Sequence, residues 1–282
     1  MMQHFRKMHG LGNDFVVIDG RSEKIQLSPA QLRALGNRHT GIGFDQLVVI
    51  EMPPAASEAD VLMHIYNPDG TMAGACGNVT RCVAKLLLAE NPATSTITVQ
   101  TVAGLLECSK ADGGLFTVDM GPARQDWRDI PLAKAVNTLE IDFGLEGLPP
   151  AVAVNMGNPH VVFLVEDVDA VDLPHLGPLI EHHALLPDRA NVSFAQVLDV
   201  KDDVATIKLR TWERGTGITL ACGSAACATT VAATAKRLIQ RRARVQMLGG
   251  VLDITWLPDN HVLMTGGATL VFEGQIDLSG LA

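Results

Sequence analysis

The sequence predicts an α+β protein of two pseudo-symmetric domains, each a mixed β-sheet wrapped around a central helix. Three observations carry this expectation. The chain has 282 residues, more than the roughly 100–200 that one hydrophobic core commonly organises. A set of glycine-containing and polar motifs occurs twice in the same order, at an offset of 145 or 146 residues. Each copy also holds one long helical pattern among short β-rich runs, so the helix is the element for the strands to cover.

The repeat reads in order from the N-terminus. Gly12-Asn13, within His9 to Val17, corresponds to Gly157-Asn158, within Asn155 to Val162. Gln46 opens the strand-like run Leu47–Ile50, and Asn191 opens its counterpart Val192–Phe194. His64 to Gly70 align with Arg210 to Thr216, which sets Asn67 against Glu213. Ala75-Cys76-Gly77-Asn78 is echoed by Ala221-Cys222-Gly223-Ser224. Polar residues therefore recur at matched strand ends.

A helix follows each Cys-Gly. Val79, Cys82, Val83, Leu86 and Leu87 have the spacing of one apolar helical face, and Asn91-Pro92 ends it. The second copy, Ser224 to Ile239, carries no charge before Lys236, and a helix apolar on all sides is one surrounded by protein. The runs Thr96–Val102, Ile207–Trp212 and Val262–Thr265 read as strands, and Gly144 to Pro150 is turn-rich. The basic residues from Lys236 to Arg244 are expected to solvate the end of the second helix.

Composition narrows the function. With 22 Lys and Arg against 31 Asp and Glu, the net charge of −9 disfavours a nucleic-acid binder. Apolar stretches such as Val161–Val165 fall far short of a membrane span, and the start of the chain lacks the apolar run of a secretory signal. The expectation is a soluble cytoplasmic protein acting on a small molecule. Five cysteines, odd in number and widely spaced, do not form a disulfide framework. No Cys-x-x-Cys pair or histidine cluster suggests a metal.

Cys76 and Cys222 carry the chemistry. Each precedes a helix, where unpaired backbone N–H groups and the macrodipole favour an anion by about 0.3–1 kcal/mol. A thiol of pKa ~8.5 is roughly 7% thiolate at pH ~7.4, and one lowered by a unit is roughly 45%. Two such thiols on pseudo-symmetric halves are expected to face one another, one removing a proton from a carbon acid while the other supplies one. Like-charge repulsion would favour one thiolate and one thiol. The N–H groups at Gly77-Asn78 and Gly223-Ser224 would bind a substrate carboxylate, so neither metal nor electron-sink cofactor is required.

These motifs, with Met8 to Phe15, Asn67-Pro68-Asp69-Gly70, Arg81-Cys82, Gly157-Asn158-Pro159-His160 and Glu213-Arg214-Gly215, resemble the diaminopimelate epimerase family over nearly the whole chain. The resemblance implies a cofactor-independent epimerase that interconverts LL- and meso-diaminopimelate in lysine and peptidoglycan precursor biosynthesis. It assigns Cys76 and Cys222 as the acid/base thiols, with His160 and Glu213 as supporting catalytic groups. It places Asn13, Gln46, Asn67, Gly77, Asn78, Asn158, Asn191, Glu213, Arg214, Gly223 and Ser224 around the substrate. It further implies a homodimer, with residues 1–121 forming one half, completed by a returning strand over about 269–282, and 122–268 forming the other. Val79-Thr80 stand where the family usually has Gly-Ala, Ala225 where it has Gly, and Ile218 where Glu is frequent.

Plainer readings apply elsewhere. Cys82, Cys108 and Cys227 lack a mirrored turn and are expected in the core. His175, His182 and His183 read as loop residues, not metal ligands. The nearest rival function is a proline racemase or hydroxyproline epimerase, which shares two-thiol chemistry. A cyclic imino acid, however, does not need polar groups such as Asn67, Asn158, Asn191 and Arg214 for a distal amino-acid end. A redox-sensing thiol pair would leave the repeated polar set unexplained.

Overall fold

The computed structural model describes residues 2–74 and 76–281. The chain divides into two compact units, one running to Val118 and resuming at Gly266, the other spanning Asp119–Thr265. The first carries β1 (Met2–Gly10), β2 (Asn13–Asp19), α1 (Pro29–Gly36), β3 (Gln46–Glu51), β4 (Val61–Tyr66), β5 (Met72–Ala73), α2 (Gly77–Glu90), β6 (Thr96–Thr101) and β7 (Gly104–Ala111). Strand β8 (Leu115–Pro122) leads out of it. The second carries β9 (Val152–Asn155), β10 (Pro159–Leu164), α3 (Leu173–Glu181), β11 (Asn191–Lys201), β12 (Val204–Glu213), β13 (Gly217–Ile218), α4 (Gly223–Ala235), β14 (Arg242–Met247), β15 (Gly250–Trp256) and β16 (His261–Gly266). Strand β17 (Thr269–Asp277) pairs antiparallel with β1.

Strand register shows the duplication directly. Phe15 opposes Gln46 in the parallel β2–β3 pair, and His160 opposes Asn191 in the parallel β10–β11 pair. Leu47 opposes Tyr66 as Val192 opposes Trp212. Val61 opposes Val99 across the parallel β4–β6 pair, and Ile207 opposes Val245 across β12–β14. Because side chains alternate faces, a slip of one residue would turn every inward residue outward. Matching registers therefore place the same repeat positions on the same sheet faces.

In each unit the sheet is covered on both sides, which explains why β2, β3 and β10 are buried almost continuously rather than alternately. Val16, Ile18, Leu47 and Val49 form a core with Leu32 and Leu35 of α1. Val161, Phe163, Val192 and Phe194 do the same with Leu173 and Ile180 of α3. The opposite faces meet the central helices. α2 touches β1, β2, β6 and β7, while α4 touches β9, β10, β11, β12, β14 and β15. Its run of Ala, Thr and Val is buried from Ala225 to Ala233, because small side chains let six strands approach one axis.

Two local expectations change. α4 ends at Ala235 rather than near Ile239, with Lys236 as its C-cap and Arg237 in a left-handed conformation. The basic run is thus divided, Arg242 to Arg244 lying in β14, where the side chains of Arg242 and Arg244 point outward around buried Ala243. His175 lies in α3 and His182 caps its C-terminus, rather than both lying in loops. Cys82, Cys108 and Cys227 are fully buried. Among the described residues no cluster of His, Cys, Asp and Glu could hold a metal, and no helix is long and apolar enough to cross a membrane.

Candidate active site

Cys76 and Cys222 are the N-cap residues of α2 and α4. Their backbones are extended, with φ −150° and ψ 108° at Cys76 and φ −127° and ψ 111° at Cys222. Their carbonyls begin the helices by accepting from Thr80 N–H and Ala226 N–H, each at 3.1 Å. Thr80 adds a hydroxyl bond to the Cys76 carbonyl at 2.8 Å.

In the first unit, Asn13 is the organising residue. Leu11 and Gly12 both have positive φ, 56° and 81°, as required by a two-residue hairpin turn that matches the twist of β1 and β2. That turn presents Asn13 to α2. Its Oδ1 accepts from Asn78 Nδ2 at 3.2 Å and from the Cys76 thiol at 3.9 Å, and its Nδ2 donates to Asp45 at 2.8 Å. The fully buried Arg81 donates to Asn78 Oδ1 at 2.9 Å, which fixes the orientation of that amide. Gly10 fits closely beside it, since a Cβ there would lie 3.1 Å from the Arg81 guanidinium and 3.3 Å from Asn78 O.

Gln46 and Asn67 form a second pair in this unit. Gln46 Nε2 donates to Asn67 Oδ1 at 3.3 Å, and Asn67 Nδ2 donates to Thr71 at 3.0 Å. Gln46 Oε1 is buried without a partner. Gly77 and Asn78 are buried in the first turn of α2. Beneath Asn13, Lys7 and Arg38 both bind Asp14. Burial alone would raise that carboxyl, but Arg38 and Lys7 outweigh it and hold its pKa at about 2. A separate polar groove of about 600 Å³, lined by residues including Lys24, Glu51, His64 and Tyr66, contains none of the expected site residues.

The second unit gathers the remaining set. Asn158 follows Gly157, whose φ is 89°, and its Oδ1 accepts from His160 Nε2 at 2.8 Å. That bond places the histidine proton on Nε2 and leaves Nδ1 an acceptor, buried and unpartnered. Complete burial pushes the imidazole down to about 3, with the positive charge of Arg214 adding to the effect, so the ring is neutral. Asn191, opposite His160, donates to Pro159 O at 3.2 Å and accepts from Arg214 N–H at 2.9 Å. The Arg214 side chain donates to Asp188 O at 3.0 Å. Glu213 accepts from Thr219 Oγ1 at 2.5 Å.

Cys222 departs from the sequence expectation. Instead of being lowered by the helix end, its thiol is pushed well above the ordinary value, first by burial and then by the Glu213 carboxylate beside it. Bonds from Ser224 and the Ala225 N–H act in the opposite direction but are outweighed. The Cys222 sulfur lies 3.6 Å from Ser224 Oγ. Desolvation thus exceeds the helix-end effect, and Cys222 is a protonated thiol near neutral pH. Cys76 is only partly buried.

The structure thus assembles Asn13, Cys76 and Asn78, with Gln46 beside Asn67, in one unit. It assembles Asn158 with His160, Asn191 with Arg214, and Glu213 with Cys222 and Ser224 in the other. Asp45 and Thr219 support these groups without having been singled out. Thr219 corresponds to Ala73 in the other half, so the repeat provides no cue to it.

The diaminopimelate epimerase family model matches residues 5–125 and 152–271. A diaminopimelate epimerase from Rhodospirillum centenum is 51% identical over 276 residues, covering 98% of this chain and 93% of the relative. One from Zymomonas mobilis is 49% identical, covering 97% of each. Among solved structures, a hydroxyproline epimerase from Agrobacterium vitis superposes with a TM-score of 0.65 at 16% identity, covering 98% of this chain and 91% of that one. A phenazine biosynthesis protein of the PhzF family from Bacillus anthracis gives 0.67 at 15% identity, covering 98% and 99%. At that identity these structures share the fold.

Proposed function

The chain belongs to the diaminopimelate epimerase family, and from that premise we propose that it interconverts LL- and meso-diaminopimelate with Cys76 and Cys222 as its two acid/base groups. Inversion at carbon requires a base for the departing proton and an acid on the opposite face. One thiolate takes the α-proton, its electron pair forming the S–H bond. The C–H pair becomes a carbanion conjugated with the carboxylate, and the second thiol protonates that carbon from the other side. A net proton has changed face, and the two sulfurs have exchanged protonation states. The single observation that supports this most is the equivalent N-cap placement of the two cysteines at the starts of the two central helices.

The remaining roles follow from each group's surroundings. Cys222, buried against Glu213, begins as the acid, and Cys76 begins as the base. Glu213 favours the protonated form of Cys222 at the start, and in the reverse direction the exchanged states serve directly, the Cys222 thiolate taking the proton and the Cys76 thiol supplying one. Neutral His160 offers its unpartnered Nδ1 as a hydrogen-bond acceptor. The first N–H groups of α2 and α4, at Gly77-Asn78 and Gly223-Ser224, have no acceptor within the helix; they bind the carboxylate at the reacting carbon and stabilise the charge that grows there. Asn13, Gln46, Asn67, Asn158, Asn191 and Arg214 hold the substrate's polar groups. The scheme uses no cofactor and no metal. A polar set this extensive favours a substrate with two amino-acid ends over proline.

Two coarser expectations complete the reading: a cytoplasmic enzyme and a homodimer, the latter supported by the adjacent exposed residues Leu270, Val271 and Phe272 on β17 and testable by its mass in solution. The mechanism is tested by Cys76→Ala and Cys222→Ala. Each variant should remain folded and lose epimerisation; full turnover by either would overturn the two-thiol scheme.

A further inference from the structure

Glu181 is the last residue of α3 and is 2% exposed, yet it belongs to none of the groups above. Both carboxylate oxygens are engaged. Oε2 accepts from Trp212 Nε1 at 2.7 Å, and Oε1 accepts from the Gly215 N–H at 2.9 Å. Arg189 lies 3.9 Å away at the exposed side. The two donors bracket Glu213 and Arg214. A buried carboxylate is costly unless its oxygens are satisfied, so this one fixes its donors as firmly as they fix it.

The rest of the turn has the same character. Thr216 N–H returns to Glu213 O at 3.0 Å, Gly215 has φ 72°, and Glu213 pairs with Gly217 at the start of β13. Arg214 N–H is taken by the buried Asn191, so two consecutive N–H groups of the turn end on buried side-chain acceptors. The Trp212 indole lies against α3 at Gly177, where a Cβ would come within 2.6 Å of its ring. The helix therefore holds the residue before Glu213 by contact and the residue after Arg214 by charge-assisted hydrogen bonding.

The equivalent turn in the first unit is stiffened differently. Pro68 stands where Arg214 does and has no N–H to satisfy. Asp69 there accepts both the N–H and the hydroxyl of Thr71, and Gly36 of α1 lies against Pro68 as Gly177 lies against Trp212. In both units a helix braces the turn that ends the strand, but only the second turn carries two ionisable site residues, and only it has a buried carboxylate behind it.

We infer that Glu181, through Trp212 and the Gly215 N–H, is a positioning residue that aims Glu213 at Cys222 and Arg214 at the substrate. This rests on the function proposed above. Glu181→Gln keeps the volume but turns an NH₂ toward one of two donors, which releases either Trp212 or the Gly215 N–H. The expected result is a fall in kcat/KM of up to about 100-fold, the scale on which a misplacement of about 1 Å acts.

The deciding experiment is a double-mutant cycle on the full-length protein, with epimerisation of diaminopimelate as one readout and Trp212 emission, in a Trp127→Phe/Trp256→Phe background, as the other. Because Glu181 acts in part through Glu213, the losses in Glu181→Gln and Glu213→Gln multiply incompletely, and the double variant is less impaired than the product of the two. Glu181→Gln also shifts the Trp212 emission, and Glu181→Asp recovers part of both signals. Multiplying losses with an active parent, or an unchanged rate in Glu181→Gln, would overturn the positioning role while leaving the catalytic reading intact. A parent protein that does not act on diaminopimelate at all would overturn both, and the emission readout would then show whether the brace itself exists.

Discussion

At the scale of the residue, the same local motif produces two different thiols. Cys76 and Cys222 sit at equivalent helix N-termini, and sequence spacing alone locates both. Their environments differ because of side chains distant in sequence. Glu213 and the surrounding core raise Cys222, whereas Cys76 is partly exposed and meets Asn13. The direction of the Cys222 shift was therefore illegible in the sequence: a helix-end effect of about 0.3–1 kcal/mol is local, while desolvation depends on the complete fold. Removing the nearby negative charge should make ionisation easier. In Glu213→Gln, the Cys222 thiolate should form at lower pH than in the parent, measured by its ultraviolet absorbance in a Cys76→Ala background. An unchanged or higher midpoint would contradict the role of that carboxylate.

At the scale of the element, the helices after each Cys-Gly were readable because periodicity and capping signals agree. α2 ends at Glu90 with Asn91 as its C-cap, just before Pro92, where the sequence breaks. α4 was harder to end. Its Ala, Thr and Val residues continue into Lys236 and Leu238 without a breaker, and the left-handed Arg237 is not a residue type that announces a stop. The brace from α3 was also hidden, since Gly177 and Glu181 meet Trp212 and Gly215 across separations of more than thirty positions in the chain. The small side chains of α4 have a consequence of their own. Ala228 is fully buried in α4, a helix in contact with six strands, so Ala228→Leu should overpack the core and cost about 1–3 kcal/mol. Chemical denaturation would read this as a lower midpoint; an unchanged midpoint would mean that the helix is not tightly enclosed.

At the scale of the whole molecule, the duplication is the strongest link between sequence and function. Motif offsets of 145 and 146 residues reappear as matching strand registers in the two units, including Phe15 with Gln46 and His160 with Asn191. The copies are not chemically identical. Phe15 occupies the position of His160, Pro68 that of Arg214, and Asn67 that of Glu213, so at these three positions the second unit carries ionisable side chains where the first does not. This asymmetry suits the proposed reaction, in which two like thiols must differ in protonation state. The most direct test is to incubate the purified, reduced protein with diaminopimelate in deuterium oxide, without pyridoxal phosphate or metal. The α-proton should exchange with solvent while the LL and meso forms interconvert; folded protein with reduced thiols that produces neither change would contradict the assignment.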